Sequence, residues 1–155
     1  MNKTLLVQIF VIASIVAGYF LIDFNKVYNY FKGEVKYTVQ DNSCDLHKSA
    51  CTIVLEDGKE FTLEVFPKEI PLMKNLTFKL KSSEKNLENI SLNIYATNMF
   101  MGYFDLKFKN LGNGLYEAKG TLPTCPVGNM KWNADISLEK INQRVGARFQ
   151  FQTTR

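Results

Sequence analysis

The sequence predicts an all-β protein: an immunoglobulin-like antiparallel β-sandwich preceded by one N-terminal transmembrane helix. Two observations predict this fold. Residues 4–22 carry no charge and are almost entirely apolar, and a helix of about 20 apolar residues spans a bilayer. From Glu34 onward, short runs of alternating apolar and polar residues follow one another at regular spacing. Such runs are typical of strands in two sheets that pack face to face.

The N-terminal apolar segment is predicted to stay on the protein as an anchor. A cleaved signal peptide needs small residues before the cleavage site, but Ile15 stands two residues before the best candidate, Ala17. We therefore expect a cytoplasmic N-terminus at residues 1–3, a membrane helix over residues 4–22 and a membrane-proximal stalk over residues 23–33. A cleaved signal peptide is the alternative.

The clearest turn signal in the predicted sandwich is Asp57-Gly58, which lies between apolar alternations at residues 53–55 and 61–65. Asp-Gly at this position predicts a β-hairpin. The alternation over residues 130–138 predicts the longest strand and places Trp132 in the core. The other predicted strands are at residues 35–39, 76–80, 90–96, 104–108, 116–120 and 149–151, with turns at residues 110–114 and 142–146.

Length and charge limit the classes of function. Residues 34–155 suffice for one domain with its own core and are too few for two. The formal net charge of the chain is +4, and its lysines are scattered along the sequence. A nucleic-acid-binding surface, which needs clustered basic residues, is therefore not expected.

Cys44 and Cys51 flank a short segment, a spacing that predicts a disulfide and hence an oxidising compartment. Two buried thiols are the alternative. A short uncleaved anchor with a disulfide-bonded domain predicts a single-pass protein of the bacterial inner membrane whose domain faces the periplasm. The membrane is thus the first expected partner, through the N-terminal helix.

No enzyme is predicted. The chain has one histidine, His47, so a Ser-His-Asp or Cys-His arrangement would have to be built on it. His47 lies between the two cysteines, distant in sequence from any nucleophile on a strand-to-helix turn. No glycine-rich loop precedes a helix, so a phosphate-binding loop is not expected either.

Met99, Met101 and Cys125 form a candidate metal site. Thioethers and thiolates are soft ligands that select Cu(I), and side chains two residues apart on an extended segment point to the same side. The two methionines also fall outside the core register of residues 92–96. The alternative is that they fill gaps beneath a loop. His47 is a weaker candidate for a fourth ligand, and Met130 shares the core face of Trp132.

These segments resemble a group of bacterial inner-membrane-anchored proteins with one periplasmic immunoglobulin-like domain, the FixH and YtkA-like families. The resemblance covers about residues 44–138. It rests on the N-terminal anchor, on Asn98-Met99-x-Met101-Gly102, on Gly114-Leu115-Tyr116 and on Leu122-Pro123-x-Cys125 before Trp132. It implies copper delivery to, or assembly of, respiratory haem–copper oxidases. The sequence lacks a Met-x-x-Met or His-rich copper motif.

The expected function is therefore that of a non-enzymatic, membrane-anchored periplasmic accessory protein. Its expected partner is a respiratory membrane complex, and its expected cofactor is Cu(I). The alternative is a metal-free protein–protein interaction module of the cell envelope.

Overall fold

The computed structural model describes residue 8 and residues 35–88, 90–124, 128–140 and 143–154. Except for Gln8, which is helical, the membrane helix predicted over residues 4–22 and the stalk predicted over residues 23–33 lie outside the described residues. No helix within the described part of the chain is both long enough and apolar enough to cross a membrane.

The described residues from Val35 onward form one compact unit of ten strands in two five-stranded sheets. The strands are β1 (Val35–Val39), β2 (Cys51–Val54), β3 (Glu60–Phe66), β4 (Asn75–Ser82), β5 (Ser91–Ala96), β6 (Tyr103–Lys107), β7 (Lys109–Gly112), β8 (Leu115–Thr121), β9 (Met130–Lys140) and β10 (Gln143–Thr153). The first sheet has the order β1-β10-β9-β5-β6, and the second has the order β2-β3-β4-β8-β7. The predicted all-β, sandwich-like fold is confirmed.

One strand pair departs from the predicted antiparallel arrangement. Strand β1 pairs with β10 in parallel, with Tyr37 opposite Gly146, whereas the other pairs in the described sheets are antiparallel. A parallel pair requires a long crossover connection. Here the remaining strands of the domain supply that connection, because β1 and β10 are the first and last of the ten described strands.

Alternate side chains from both sheets fill one apolar core. Trp132 of β9 is buried in this core: its ring stacks on Phe151 with centroids 6.4 Å apart and meets Phe104 edge-on at 6.3 Å. Its indole Nε1 donates a hydrogen bond to the buried Thr153 Oγ1 at 2.9 Å. Other fully buried large side chains include Leu46, Phe61, Leu63, Ile70, Leu76, Phe78, Leu80, Leu92, Ile94, Leu122 and Phe149.

The hairpin predicted at Asp57-Gly58 is present: it joins β2 and β3, and Gly58 has φ +81°. The turns predicted at residues 110–114 and 142–146 have other bounds than expected. The turn predicted at residues 110–114 is shorter, because Lys109–Gly112 form β7 and only Asn113 and Gly114 lie outside the strands. Both of these have positive φ, the backbone of a tight two-residue hairpin turn.

The turn predicted at residues 142–146 extends too far along the chain, because β10 already begins at Gln143 and Gly146 lies within it. Gly146 serves close packing instead of a turn: a Cβ atom at this position would lie 2.5 Å from Cε1 of Tyr37 and 2.8 Å from the carbonyl oxygen of Ile136. Tyr37 therefore covers a position where a side chain larger than that of glycine would force its neighbours to move.

Candidate functional site

The outward face of the first sheet carries a connected polar network. Arg148 donates two hydrogen bonds to Asp135, from Nε to Oδ1 at 2.8 Å and from Nη2 to Oδ2 at 2.7 Å. The hydroxyl of Tyr95 donates to Asp135 Oδ2 at 3.2 Å and accepts from Asn133 Nδ2 at 3.1 Å. Gln150 Nε2 donates to Asn133 Oδ1 at 3.0 Å. The network thus links side chains from β5, β9 and β10.

Strand register places these residues together. Asp135 lies opposite Arg148, and Asn133 lies opposite Gln150. Because side chains alternate along a strand, they point away from the core that Trp132 occupies. The backbone pairing therefore builds the network on the solvent side of the sheet.

The Asp135 carboxylate is buried even though it lies on an outward face, with 3% of its surface exposed. Its hydrogen bonds raise the pKa of Arg148 above the ordinary value. The guanidinium carbon of Arg148 also lies 4.4 Å from the centroid of the Tyr37 ring, within range of a cation–π contact. These contacts fix the orientation of the side chains across the face.

A polar cavity of about 750 Å³ opens at one end of this face. Its wall is formed on one side by the segment between β1 and β2, which we name the 40–50 loop, and on the other by the ends of β9 and β10. The amide and hydroxyl side chains of its lining are those of Gln40, Asn42, Ser43, Thr97, Asn133, Gln150 and Gln152.

Several contacts hold the 40–50 loop in place. The sulfur atoms of Cys44 and Cys51 lie 2.03 Å apart, consistent with the predicted disulfide, and Leu46 is fully buried in the core. The ring nitrogens of His47 lie 2.8 Å from the carbonyl oxygen of Lys68 and 2.6 Å from that of Gln152. The loop is therefore tied to both sheets, and the His47 nitrogens are occupied by backbone carbonyls.

The start of the loop is ordered by Asp41 and Ser43. The backbone amide of Ser43 donates to Asp41 Oδ1 at 2.7 Å. Hydrogen bonds from the Ser43 hydroxyl and from this amide lower the pKa of the exposed Asp41 below its ordinary value. Asp41 therefore stabilises this turn as a carboxylate, and protonation at acid pH removes the contribution.

Gln40 is a buried amide in the cavity wall, with 8% of its surface exposed. Its Nε2 donates to the carbonyl oxygens of Cys44 at 3.3 Å and Gln150 at 2.7 Å. Its Oε1 is buried and has no hydrogen-bond partner among the described residues. An unmet buried acceptor costs about 1–3 kcal/mol.

Next to the cavity, three large side chains form an exposed surface that we name the aromatic rim: Met99, Phe100 and Tyr103. Phe100 is 83% exposed, Tyr103 64% and Met99 36%. The Phe100 and Tyr103 rings meet edge-on with centroids 6.2 Å apart. The rim borders a hollow of about 370 Å³ that shares Thr97 with the polar cavity.

Asn98 positions the loop that carries the rim. Its Nδ2 donates to the carbonyl oxygen of Asn129 at 2.8 Å, and its Oδ1 accepts from the backbone amide of Lys131 at 3.1 Å. Both polar atoms of one amide thus fasten the 97–102 loop to the start of β9.

The two methionines of the predicted Cu(I) site differ in burial. They lie in the loop between β5 and β6 and not on a strand, so strand alternation does not set the direction of their side chains. Met101 is partly buried against the core, whereas Met99 lies at the rim. Cys125 lies outside the described residues. Within the described part of the chain, no group of three or more His, Cys, Asp and Glu side chains could hold a metal ion.

The amide side chains that line the cavity were not predicted as a site from the sequence, although Cys44, His47 and Trp132 of the same lining were named there for other roles. A local signal does exist: Asn133-x-Asp135 and Gln150-x-Gln152 alternate with core residues on neighbouring strands. Gln40 gives no such signal, because its position in the cavity depends on the parallel pairing of β1 with β10.

Comparisons with known proteins identify no family. No family model and no curated protein matches the chain. One crystal structure with partial similarity is that of a DUF4785 family protein from Legionella pneumophila, with 10% sequence identity and a TM-score of 0.43. The match covers 62% of this chain and 28% of that protein, and similarity at this level carries no argument about function.

Proposed function

We propose that this protein is a non-enzymatic accessory protein of the bacterial inner membrane. In this proposal residues 4–22 anchor the chain, the domain lies in the periplasm, and the domain binds a membrane-protein partner through the aromatic rim. The exposure of Phe100 beside Tyr103 carries the proposal. Adjacent exposed aromatic side chains are typical of protein interfaces, where they contribute much of the binding energy.

We further propose that the sandwich is of the immunoglobulin-like type. Strands β3-β4-β8-β7 stand side by side in the second sheet, and β5-β9-β10 stand side by side in the first. These orders match the A-B-E-D and C-F-G sheets of immunoglobulin domains. In such domains the loops cluster at the two ends of the sandwich, and loops often carry binding residues. The 97–102 loop carries Met99 and Phe100 of the rim, and Tyr103 begins β6 directly after it.

Site-specific photo-crosslinking in cells tests the rim. A photo-reactive phenylalanine analogue replaces Phe100, and the same analogue at Leu111, also exposed but on β7 of the second sheet, is the matched control. We expect one defined membrane-protein adduct from position 100, weakened at least fivefold by Tyr103→Ser. Equal adduct patterns from positions 100 and 111, or adducts with lipid alone, would contradict the proposal.

A second candidate is a role in copper delivery or in the assembly of a respiratory membrane complex, as the FixH-like resemblance implies. The exposure of Met99 at the rim favours this candidate, because thioethers are Cu(I) donors. The exposed pair of Phe100 and Tyr103 needs no metal to bind a partner, and it favours the metal-free interaction module.

A further inference from the structure

We propose that the polar cavity between the 40–50 loop and the ends of β9 and β10 is a binding site for a neutral oligosaccharide. This activity goes beyond the protein-partner function proposed for the aromatic rim. The volume of the polar cavity, about 750 Å³, falls within the range of roughly 300–1,000 Å³ that small-molecule sites occupy.

The side chains of the lining match the chemistry of sugar hydroxyl groups. A hydroxyl donates one hydrogen bond and accepts others, and a side-chain amide likewise both donates and accepts. Gln40, Asn133, Gln150 and Gln152 bring such amides to one cavity, and Thr97 adds a hydroxyl. This set suits a ligand rich in hydroxyl groups.

The charges of the lining do not select an ion. Asp45 and Lys48 both line the cavity and lie 3.7 Å apart, so each partly neutralises the other. Lys131 adds one positive charge, and the ring nitrogens of His47 face backbone carbonyls. A highly charged ligand would need a concentration of opposite charge, whereas a neutral one does not.

Three of the amides are already held in place, which reduces the entropy lost when a ligand binds. Gln150 donates to Asn133, and Asn133 donates to Tyr95. Gln40 is held by the carbonyl oxygens of Cys44 and Gln150, to which its Nε2 donates.

The neighbouring aromatic rim offers a surface for the apolar side of a sugar ring. Thr97 lines both the polar cavity and the hollow beside Phe100 and Tyr103. Aromatic side chains combine a large apolar face with, in tyrosine, a polar tip, and pyranose rings present C–H groups on their faces. An oligosaccharide seated in the cavity can therefore extend across Thr97 onto the rim.

Binding is tested with the full-length protein in a zwitterionic detergent, because detergents with sugar headgroups would compete. The probes are malto-, cello- and chito-oligosaccharides, with oligogalacturonate as a charged comparison, measured by saturation-transfer NMR and calorimetric titration. We expect at least one neutral series to bind, with dissociation constants of about 10 μM to 1 mM, and oligogalacturonate to bind no more tightly than that series.

Substitutions in the cavity lining test whether the oligosaccharide binds in the polar cavity. Gln152→Ala and Thr97→Ala change exposed side chains of the lining, so we expect folding to be retained and affinity to fall at least fivefold. Asn75→Ala removes an exposed amide from the second sheet and should leave affinity unchanged.

Three outcomes would each overturn the proposal: every neutral series fails to bind, oligogalacturonate binds more tightly than the neutral series, or all three variants have equal affinity. Crosslinking from position 100 is a separate readout, so the two proposals can fail independently.

Discussion

Asp135 is a buried carboxylate on the outward side of a sheet, and its burial depends on Arg148. Both carboxylate oxygens accept hydrogen bonds from the guanidinium, and Tyr95 adds a third. A paired geometry of this kind offsets much of the cost of removing the charges from water. If one partner is lost, the other remains partly desolvated without compensation.

We therefore expect Asp135→Ala to lower the free energy of unfolding by about 2–4 kcal/mol. This lies slightly below the range of about 3–5 kcal/mol for breaking a fully buried pair, because about a quarter of the Arg148 side chain (26%) is exposed. The measurement is urea-induced unfolding followed by the fluorescence of Trp132, the single tryptophan.

The double variant Asp135→Leu/Arg148→Met is the control, since it removes both charges together. Replacing a buried ion pair by apolar side chains is often close to neutral, so the double variant should be more stable than Asp135→Ala. A single variant with wild-type stability would show that the carboxylate contributes nothing to the fold.

Among the elements, strand β1 depends on a glycine of its partner strand. Tyr37 of β1 lies over Gly146 of β10, where a Cβ would meet both the tyrosine ring and a backbone carbonyl. An aromatic ring and a backbone carbonyl cannot move aside as readily as a flexible side chain, because each is held by its own packing.

We expect Gly146→Ala to cost about 1–3 kcal/mol, the range for overpacking a well-packed site, and to weaken the pairing of β1. Hydrogen exchange of the β1 amides measures the effect. Gly120→Ala is the matched control, because a Cβ there would meet only the side chain of Leu106, which can rotate. Equal protection of β1 in both variants would contradict this account.

Alternation along the chain predicted most strands, because each strand has one face in the core and one outside it. It could not predict that β1 joins β10 in parallel, since that pairing involves the two ends of the domain. It also misjudged Gly146, because a glycine needed for close packing looks in sequence like a glycine needed for a turn. The polar cavity was missed for the same reason as the pairing: Gln40 and Gln150 meet only in the folded domain.

On the scale of the whole molecule, one end of the first sheet carries two neighbouring surfaces of different chemistry. The polar cavity presents amides and hydroxyls, whereas the aromatic rim presents Phe100, Tyr103 and Met99. The 97–102 loop belongs to both through Thr97. A partner on the rim and a ligand in the cavity would therefore contact the same loop, so that each could change the affinity for the other.

A Cu(I) titration of the full-length, reduced protein against a weak chelator separates the copper candidate from the metal-free module. The copper candidate predicts that the protein removes Cu(I) from the chelator and that Met99→Leu/Met101→Leu weakens binding at least tenfold. Stability should change little in that variant, because leucine and methionine have similar volumes.

Met130→Leu is the control, since Met130 is fully buried in the core. The metal-free module predicts that the chelator keeps its Cu(I). Competition that depends on both methionines but not on Met130 would instead establish the metal site and make copper handling the function of the rim.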